Sequence, residues 1–169
     1  MLFLIGMPLA GKSYWARELA RHYQLSFTDL DTEIERRVGM PIHDIFKQQG
    51  EDGFRKHEQS VLKNLIMKKE ADIIACGGGT PAFYDNMERM KQHGCVVYLE
   101  ADTTTLIERF AAATTERPLL KQADNRKEAL DELLAQRKNI YEQAHYTLDT
   151  NRLSVSNFEQ IIALCTNRQ

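Results

Sequence analysis

A short glycine-containing segment near the start of the chain, Gly6–Ser13, constrains the fold more than any other part of the sequence. Its spacing is Gly, four residues, then Gly-Lys-Ser, between an apolar run, Leu2–Ile5, and a helical pattern, Tyr14–Tyr23. A strand, a loop and a helix in this order cradle a phosphate, because backbone N–H groups and a helix N-terminus converge on the anion. The segment therefore predicts a P-loop in an α/β protein.

Two side chains at the end of this loop have defined tasks in such a site. Lys12 is predicted to reach the β- and γ-phosphates, and the Ser13 hydroxyl is predicted to bind Mg²⁺. Leu9 stands where many P-loops have a third glycine, which reduces the freedom of the backbone there. We expect the loop to form despite this side chain.

Length, charge and cysteine content exclude several other classes. The 169 residues fit one domain with its own core, and a formal net charge of −2 gives no electrostatic case for nucleic acid or an anionic membrane. Cys76, Cys95 and Cys165 form neither a zinc pattern nor a disulfide framework, so we expect reduced, buried thiols in a cytoplasmic protein. No apolar run has the length of a membrane span or of a secretory leader.

Apolar runs alternate with helical patterns along the chain, which predicts a parallel sheet covered on both faces. Residues 31–69 lack a strand signal and read as helices broken near Gly39-Met40-Pro41 and at Gly50, a helical region beside the nucleotide site. Residues 111–125 have weak periodicity and predict a mobile lid. The expected strands are Leu2–Ile5, Ser26–Asp29, Ile73–Cys76, Val96–Leu99 and Tyr146–Leu148.

Charged residues interrupt the apolar faces of two predicted helices. Arg137 falls within the stripe of the helix at 127–142, and Arg55 and Glu58 fall within that of the helix at 51–69. An unpaired buried guanidinium is costly, so these arginines should be paired or face a ligand, and Arg55 and Glu58 can brace each other at i, i+3. An arginine at the edge of a stripe can also extend to solvent. Two such arginines favour an anion-binding pocket.

Polar and glycine residues follow two of the predicted strands. Asp29 and Asp31 come at the end of the second strand, where they could hold a Mg²⁺ water and orient an attacking hydroxyl, or cap a helix. Gly77-Gly78-Gly79 follows the third strand and indicates close backbone approach to a ligand, although a loose turn is the alternative. Arg117, in the predicted lid, could neutralise a transferring phosphoryl group or be a solvated surface arginine.

Taken together in this order, these motifs resemble the shikimate kinase family along nearly the whole chain. Only the P-loop is specific by itself, but the ordered set is highly specific. The motifs are the P-loop, Phe27-Thr28-Asp29-Leu30-Asp31, Ile34-Glu35, Ile45-Phe46, Gly50-Glu51, Phe54-Arg55, Glu58, Gly77-Gly78-Gly79, Arg117-Pro118-Leu119-Leu120, Arg137, Tyr141 and Asp149-Thr150-Asn151.

The resemblance implies a P-loop NTPase of the nucleoside-monophosphate-kinase-like α/β fold, with three layers and a five-stranded parallel sheet. It implies a monomer that transfers the γ-phosphate of ATP to the 3-hydroxyl of shikimate, with Lys12, Asp31 and Arg117 as catalytic residues. Ser13 would bind Mg²⁺ directly, and Asp29 would bind it through water. The ATP site would comprise Leu9, Ala10, Gly11, Lys12, Ser13, Tyr14, Arg109, Arg117 and Arg152. The shikimate site would comprise Asp31, Arg55, Glu58, Gly77, Gly78, Gly79 and Arg137.

Within the shikimate site, the resemblance implies that Arg55 and Arg137 hold the carboxylate and that Glu58 braces Arg55. The chain departs from the family at Leu9, at Tyr14, and in a lid with little positive charge. One alternative is another small-molecule kinase of this fold, for gluconate or a nucleotide, although a nucleotide kinase needs a second base and phosphate site. The other alternative is a non-catalytic nucleotide-binding module, which Leu9 and the lid would favour.

Overall fold

The structure, a computed structural model, describes residues 1–112 and 126–166. The strands in these ranges are β1 (Leu2–Ile5), β2 (Phe27–Asp29), β3 (Ile73–Ala75), β4 (Cys95–Glu100) and β5 (Tyr146–Asp149). The α-helices are α1 (Lys12–Tyr23), α2 (Leu30–Val38), α3 (Ile42–Lys68), α4 (Asn86–His93), α5 (Thr103–Ala112), α6 (Arg126–Tyr141) and α7 (Glu159–Thr166). Short 3₁₀ helices lie at Thr80–Ala82 and Val155–Phe158.

The five strands form one sheet in the order β2-β3-β1-β4-β5, and every pairing is parallel. All residues of β1 and β3 are buried, as are the first five of β4, which fits strands covered on both faces. On the edge strand β5, half-buried and exposed residues alternate. The predicted parallel α/β architecture is confirmed.

The order of the strands places two loops and the start of α2 side by side at the carboxyl edge of the sheet. The P-loop follows β1, α2 follows β2, and the glycine loop, Gly77–Gly79, follows β3. Because β3 lies between β1 and β2, the segments that leave these three strands are neighbours. Ligands of open α/β sheets bind in crevices at this edge.

Two predicted helix breaks occur where the sequence indicates them. Gly39 ends α2 with φ 74°, and Pro41 precedes the first turn of α3. Gly50 interrupts α3 with φ 69° and ψ −174°, a conformation that glycine adopts without steric cost. Residues 113–125 of the predicted lid lie outside the described residues, and Ala111 and Ala112 belong to α5.

The cysteines differ from the expectation of three reduced thiols. Cys95 and Cys165 form a disulfide, with their Cα atoms 5.9 Å apart, and Cys76 is a free, buried thiol. The expectation is therefore wrong for two of the three cysteines, because the fold brings the start of β4 against α7, 70 positions further along the chain. Among the described residues, no helix is long and apolar enough to cross a membrane.

Candidate active site

The P-loop wraps around the side chain of its own lysine. Lys12 is 8% exposed, and its Nζ donates hydrogen bonds to the carbonyl oxygens of Gly6, at 3.0 Å, and Met7, at 2.8 Å. Gly6 has φ 139°, and a Cβ there would lie 2.5 Å from the carbonyl oxygen of Leu99. A glycine is therefore required where the loop leaves β1.

Leu9 adopts the left-handed conformation that a glycine would take more easily. Its φ is 70°, and its carbonyl oxygen accepts a hydrogen bond from Nη1 of Arg109 at 3.3 Å. A non-glycine residue in this region costs on the order of 1–2 kcal/mol. The half-buried Leu9 side chain packs against the core, and the loop forms with leucine in place of the usual glycine.

Asp29 caps α2 and also contacts the serine of the P-loop. Its Oδ1 accepts hydrogen bonds from the backbone N–H groups of Asp31, at 3.1 Å, and Thr32, at 3.4 Å, and so caps α2. Its Oδ2 accepts a hydrogen bond from the Ser13 hydroxyl. Capping thus leaves one carboxylate oxygen facing the P-loop, beside the hydroxyl predicted to bind the metal.

In the glycine loop, the absence of side chains matters for close packing rather than for an unusual backbone conformation, since none of its φ values is positive. A Cβ on Gly77 would lie 3.0 Å from carboxylate oxygens of both Asp31 and Glu58. A Cβ on Gly78 would lie 2.9 Å from Cδ of Pro8 in the P-loop. The absence of side chains therefore brings the loop against the predicted catalytic carboxylate and the nucleotide site.

Arg55 is buried at 4% exposure and is held from several sides. Its Nη1 donates to Glu58 at 3.0 Å, and its Nη2 donates to Glu51 at 2.9 Å. The Phe83 ring lies 4.0 Å from the guanidinium carbon, within range of a cation–π interaction. A Cβ on Gly79 would come within 2.6 Å of Nη2, so the third glycine gives the guanidinium its space.

Glu58 is fully buried and has two partners of its own. One oxygen pairs with Arg55, and the other accepts a hydrogen bond from the Thr80 hydroxyl at 2.5 Å. A buried charge needs a charged partner and hydrogen bonds. The bracing that the i, i+3 spacing predicts is present, and Thr80 completes it.

Arg137 lies on the buried face of α6 with 9% of its surface exposed. Tyr141, on the next turn of α6, donates a hydrogen bond to the carbonyl oxygen of Gly78 at 2.5 Å. Burial raises the pKa of Tyr141, and the neighbouring cations Arg137 and Arg55 oppose that rise. Both arginines therefore lie near the same phenol, beside the glycine loop.

The predicted nucleotide-contacting residues lie on the other side of the P-loop. Arg109 of α5 packs near Gly11, whose Cβ would be 3.9 Å from Nη1. The side chain of Asn151, in the loop after β5, donates a hydrogen bond to Asp102, just before α5, at 3.1 Å. It accepts one from the Thr105 hydroxyl, in the first turn of α5, at 2.9 Å. These contacts hold the loop that carries Arg152 next to the helix that carries Arg109.

The structure brings most of the predicted acceptor site together around the glycine loop. Tyr14 is 59% exposed on α1, and Arg152 is exposed on its loop. Arg117 lies outside the described residues, so its role stays a prediction. Sequence reasoning gave no role to four residues that shape the site, which are Glu51, Thr80, Phe83 and Tyr141.

Some of these four residues left a signal in the sequence. Glu51 stands four residues before Arg55, which is the spacing of a helical ion pair. Tyr141 stands four residues after Arg137 on the same helix. Thr80 begins a short 3₁₀ helix and Phe83 follows it, and the sequence pattern does not predict the contacts of either residue.

Comparison with known proteins identifies the family. A family model for shikimate kinase matches residues 8–166. A shikimate kinase from Vibrio parahaemolyticus is 42% identical over 154 residues, covering 89% of this chain and 86% of that protein. One from Francisella philomiragia is 39% identical over 157 residues, covering 92% and 88%.

Solved structures agree with this result. A shikimate kinase from Acinetobacter baumannii in complex with shikimate has a TM-score of 0.85 and 37% sequence identity, covering 99% of this chain and 93% of that chain. A gluconokinase from Sinorhizobium meliloti has a TM-score of 0.56 at 14% identity, which shows a shared fold alone. The gluconate-kinase alternative is therefore not favoured. The chain belongs to the shikimate kinase family, and it is an ATP-dependent kinase whose acceptor is shikimate.

Proposed function

We propose that Lys12, Asp31 and Arg117 act on the reacting groups when this site transfers the γ-phosphate of ATP to the 3-hydroxyl of shikimate. The observation that carries the proposal is the position of Asp31, whose Oδ1 packs against the glycine loop together with the Arg55–Glu58 pair. The P-loop adjoins this loop through Pro8 and Gly78. An acceptor bound beside the glycine loop would thus lie next to the phosphate cradle.

Phosphoryl transfer depends on positioning and charge neutralisation more than on strong base chemistry. Asp31 would orient the acceptor hydroxyl and take its proton late in the reaction. Lys12, which now donates to two carbonyl groups of its own loop, would turn its Nζ to the β- and γ-phosphates. Arg117 would approach from the lid.

The acceptor carboxylate would bind to Arg55 and Arg137. Both arginine residues are at least 91% buried, and a carboxylate ligand would add opposite charge where desolvation makes it most effective. Glu58 would keep Arg55 in place while the ligand exchanges. Gly77, Gly78 and Gly79 would contact the acceptor through their backbone.

The residues at the end of the P-loop fit a magnesium ion. Ser13 and Asp29 offer a hydroxyl and one carboxylate oxygen within hydrogen-bond distance of each other. Mg²⁺ takes few protein oxygens of this kind, because phosphates and water complete its shell. When bound, the ion would neutralise phosphate charge, with Ser13 as a direct ligand and Asp29 acting through water.

ATP would lie along the P-loop, with the backbone of Leu9, Ala10, Gly11 and Tyr14 at its phosphates. Arg109 and Arg152 would contact the adenine side.

We further propose a single kinase domain over 1–169, with 31–69 as the acceptor-binding region and 111–125 as the lid. It would act as a cytoplasmic monomer without nucleic-acid or membrane partners, which the net charge of −2 supports. Light scattering after size exclusion tests the monomer.

A coupled ADP-release assay tests the reaction and its acceptor. Shikimate, gluconate and nucleoside monophosphates are compared at equal concentration with ATP and Mg²⁺, with an Asp31→Asn variant alongside. We expect turnover with shikimate in the wild type and a loss of orders of magnitude in the variant. Equal ADP release with and without shikimate, or an active Asp31→Asn variant, would contradict the proposal.

A further inference from the structure

The Tyr141 hydroxyl connects three parts of the site that come from distant parts of the chain. It donates to the carbonyl oxygen of Gly78 at 2.5 Å and lies 3.9 Å from the sulfur of Met7, at the start of the P-loop. Tyr141 itself belongs to α6, one turn beyond Arg137. A single phenol therefore joins α6, the glycine loop and the P-loop.

The Tyr141 ring is fixed by its surroundings. It is fully buried, and it stacks on the ring of Tyr98 with centroids 5.1 Å apart and an interplanar angle of 24°. Tyr98 belongs to β4, a central strand of the sheet, and is itself 1% exposed. The position of the hydroxyl is thus determined by the sheet rather than by α6 alone.

The two acceptor-site arginines differ in how they are held. Arg55 has carboxylate partners in Glu51 and Glu58. For Arg137, the described part of the chain shows no carboxylate within ion-pair distance, and Tyr141 stands four residues further on, one turn along the same face of α6. The positive charge of Arg137 also opposes the rise in the pKa of the buried Tyr141 phenol. A phenol one turn away, with its hydroxyl fixed on the Gly78 carbonyl, can orient this guanidinium.

We propose that Tyr141 is a positioning residue for Arg137, and that its hydroxyl, anchored on Gly78, holds the guanidinium where the acceptor carboxylate binds. The inference rests on the proposed function, in which Arg137 binds that carboxylate. It assigns to Tyr141 an effect on acceptor binding that burial of an aromatic ring would not produce by itself. Loss of the hydroxyl should weaken shikimate binding and leave ATP binding intact.

The test is Tyr141→Phe, which removes one oxygen and keeps the ring and its stacking. Steady-state kinetics with each substrate varied in turn should show the KM for shikimate raised about ten-fold. The KM for ATP and kcat at saturating shikimate should stay within about two-fold of wild type. Tyr98→Phe is the matched control, because it removes the other hydroxyl of the stacked pair and should leave all three constants unchanged.

A second measurement shows whether Tyr141 acts through Arg137. In an Arg137→Leu background, Tyr141→Phe should no longer raise the KM for shikimate, because the group that it positions is absent. An equal ten-fold rise in that background would overturn the inference. So would an unchanged KM in the single variant, or a parallel rise in both KM values with a lowered Tm, which is the result of a purely structural role.

The wild-type assay separates this inference from the proposed function. Shikimate-dependent ADP release in the wild type, with unaltered kinetics in Tyr141→Phe, rejects the role of Tyr141 alone. A wild type that shows no response to shikimate overturns both.

Discussion

The two ends of the sheet both carry charged residues, but they differ in how far these residues are exposed to solvent. At the carboxyl end, Lys12, Arg55 and Glu58 are buried, and each has hydrogen-bond partners at defined distances. At the amino end, a cavity of about 240 Å³ is lined by Lys69, Lys91 and other residues beside the Cys95–Cys165 disulfide. The charged side chains at the carboxyl end are buried and hydrogen-bonded, whereas Lys69 at the amino end is exposed to solvent.

This difference indicates where the molecule performs its chemistry and where it is held together. Desolvated, paired charges act strongly on a ligand because the local dielectric is low, whereas solvated charges are screened. The amino end instead carries a covalent link between β4 and α7. Changes at the carboxyl end should therefore alter kinetics, and changes at the amino end should alter stability.

The largest expected effect is the loss of turnover when Lys12, at the carboxyl end, is replaced by alanine. Lys12→Ala should lower kcat by about 10²–10³-fold or more, because it removes the charge predicted to act on the transferring phosphoryl group. Its circular-dichroism spectrum should match that of wild type. ADP release at saturating substrates measures the effect.

Lys91→Ala is the matched control at the amino end, where the lysine lines the cavity. It should leave kcat and both KM values close to wild type. Near-normal turnover in Lys12→Ala, or a large loss in Lys91→Ala, would break the contrast between the two ends.

Arg137→Leu should have the next largest effect. Losing a charge-assisted hydrogen bond of about 1.5–3 kcal/mol should raise the KM for shikimate roughly 10- to 100-fold. Because Leu removes a charge from a buried face, Tm should stay unchanged or rise. Acceptor kinetics and calorimetry on the same preparation measure both, and an unchanged KM would argue against a carboxylate-binding role.

Reduction of the disulfide should lower stability without changing catalysis. Opening a cross-link across 70 residues removes up to about 4 kcal/mol in the chain-entropy model, which corresponds to a loss of roughly 5–15 °C in Tm. The measurement is thermal unfolding with and without a phosphine reductant. In Cys165→Ser the reductant should have no effect. Three free thiols in the denatured, untreated chain would refute the bond.

The smallest expected effect concerns Asp72, also at the amino end. Hydrogen bonds from the side chain and backbone of Ser26, at 2.7 and 2.9 Å, lower the pKa of Asp72. Its stabilising contribution is therefore present above its unfolded pKa near 4 and is lost as pH falls through its lower folded pKa. Asp72→Asn should lower Tm by roughly 1–3 °C at pH 7.

The pH dependence of this difference provides the check. The Tm values of Asp72→Asn and wild type should converge as the pH is lowered below about 4, because the wild-type carboxyl is then increasingly protonated. A difference that stays constant from pH 7 to pH 3 would show that the effect is not electrostatic.

The sequence predicted the elements whose signals are local. The five strands begin and end within about one residue of the expected positions. The signal is clearest for β1, β3 and β4, because buried parallel strands are short apolar runs bounded by polar turns. Gly39 and Gly50 marked helix breaks because each adopts a positive φ. Arg55 and Glu58 were placed together because their i, i+3 spacing is itself a contact.

Contacts between distant parts of the chain could not be predicted in this way. Cys95 and Cys165 meet only after α7 packs at the amino end, and their spacing carries no trace of that. Tyr141 follows Arg137 by four residues in the sequence, but its hydroxyl meets the Gly78 carbonyl only in the folded molecule. Long-range pairing of single polar atoms depends on tertiary geometry, which periodicity does not encode.

The interruption of α3 at Gly50 has a consequence for how the chain tolerates insertions and deletions. In an unbroken helix, each inserted or deleted residue would rotate the side chains on either side of it by about 100° relative to one another. An insertion or deletion before Arg55 would therefore change the direction in which its guanidinium points. Because the helix restarts after Gly50, residues before it can vary in number while the guanidinium keeps its orientation. Homologous chains should therefore differ in length before this glycine more often than in the four residues that separate it from Arg55.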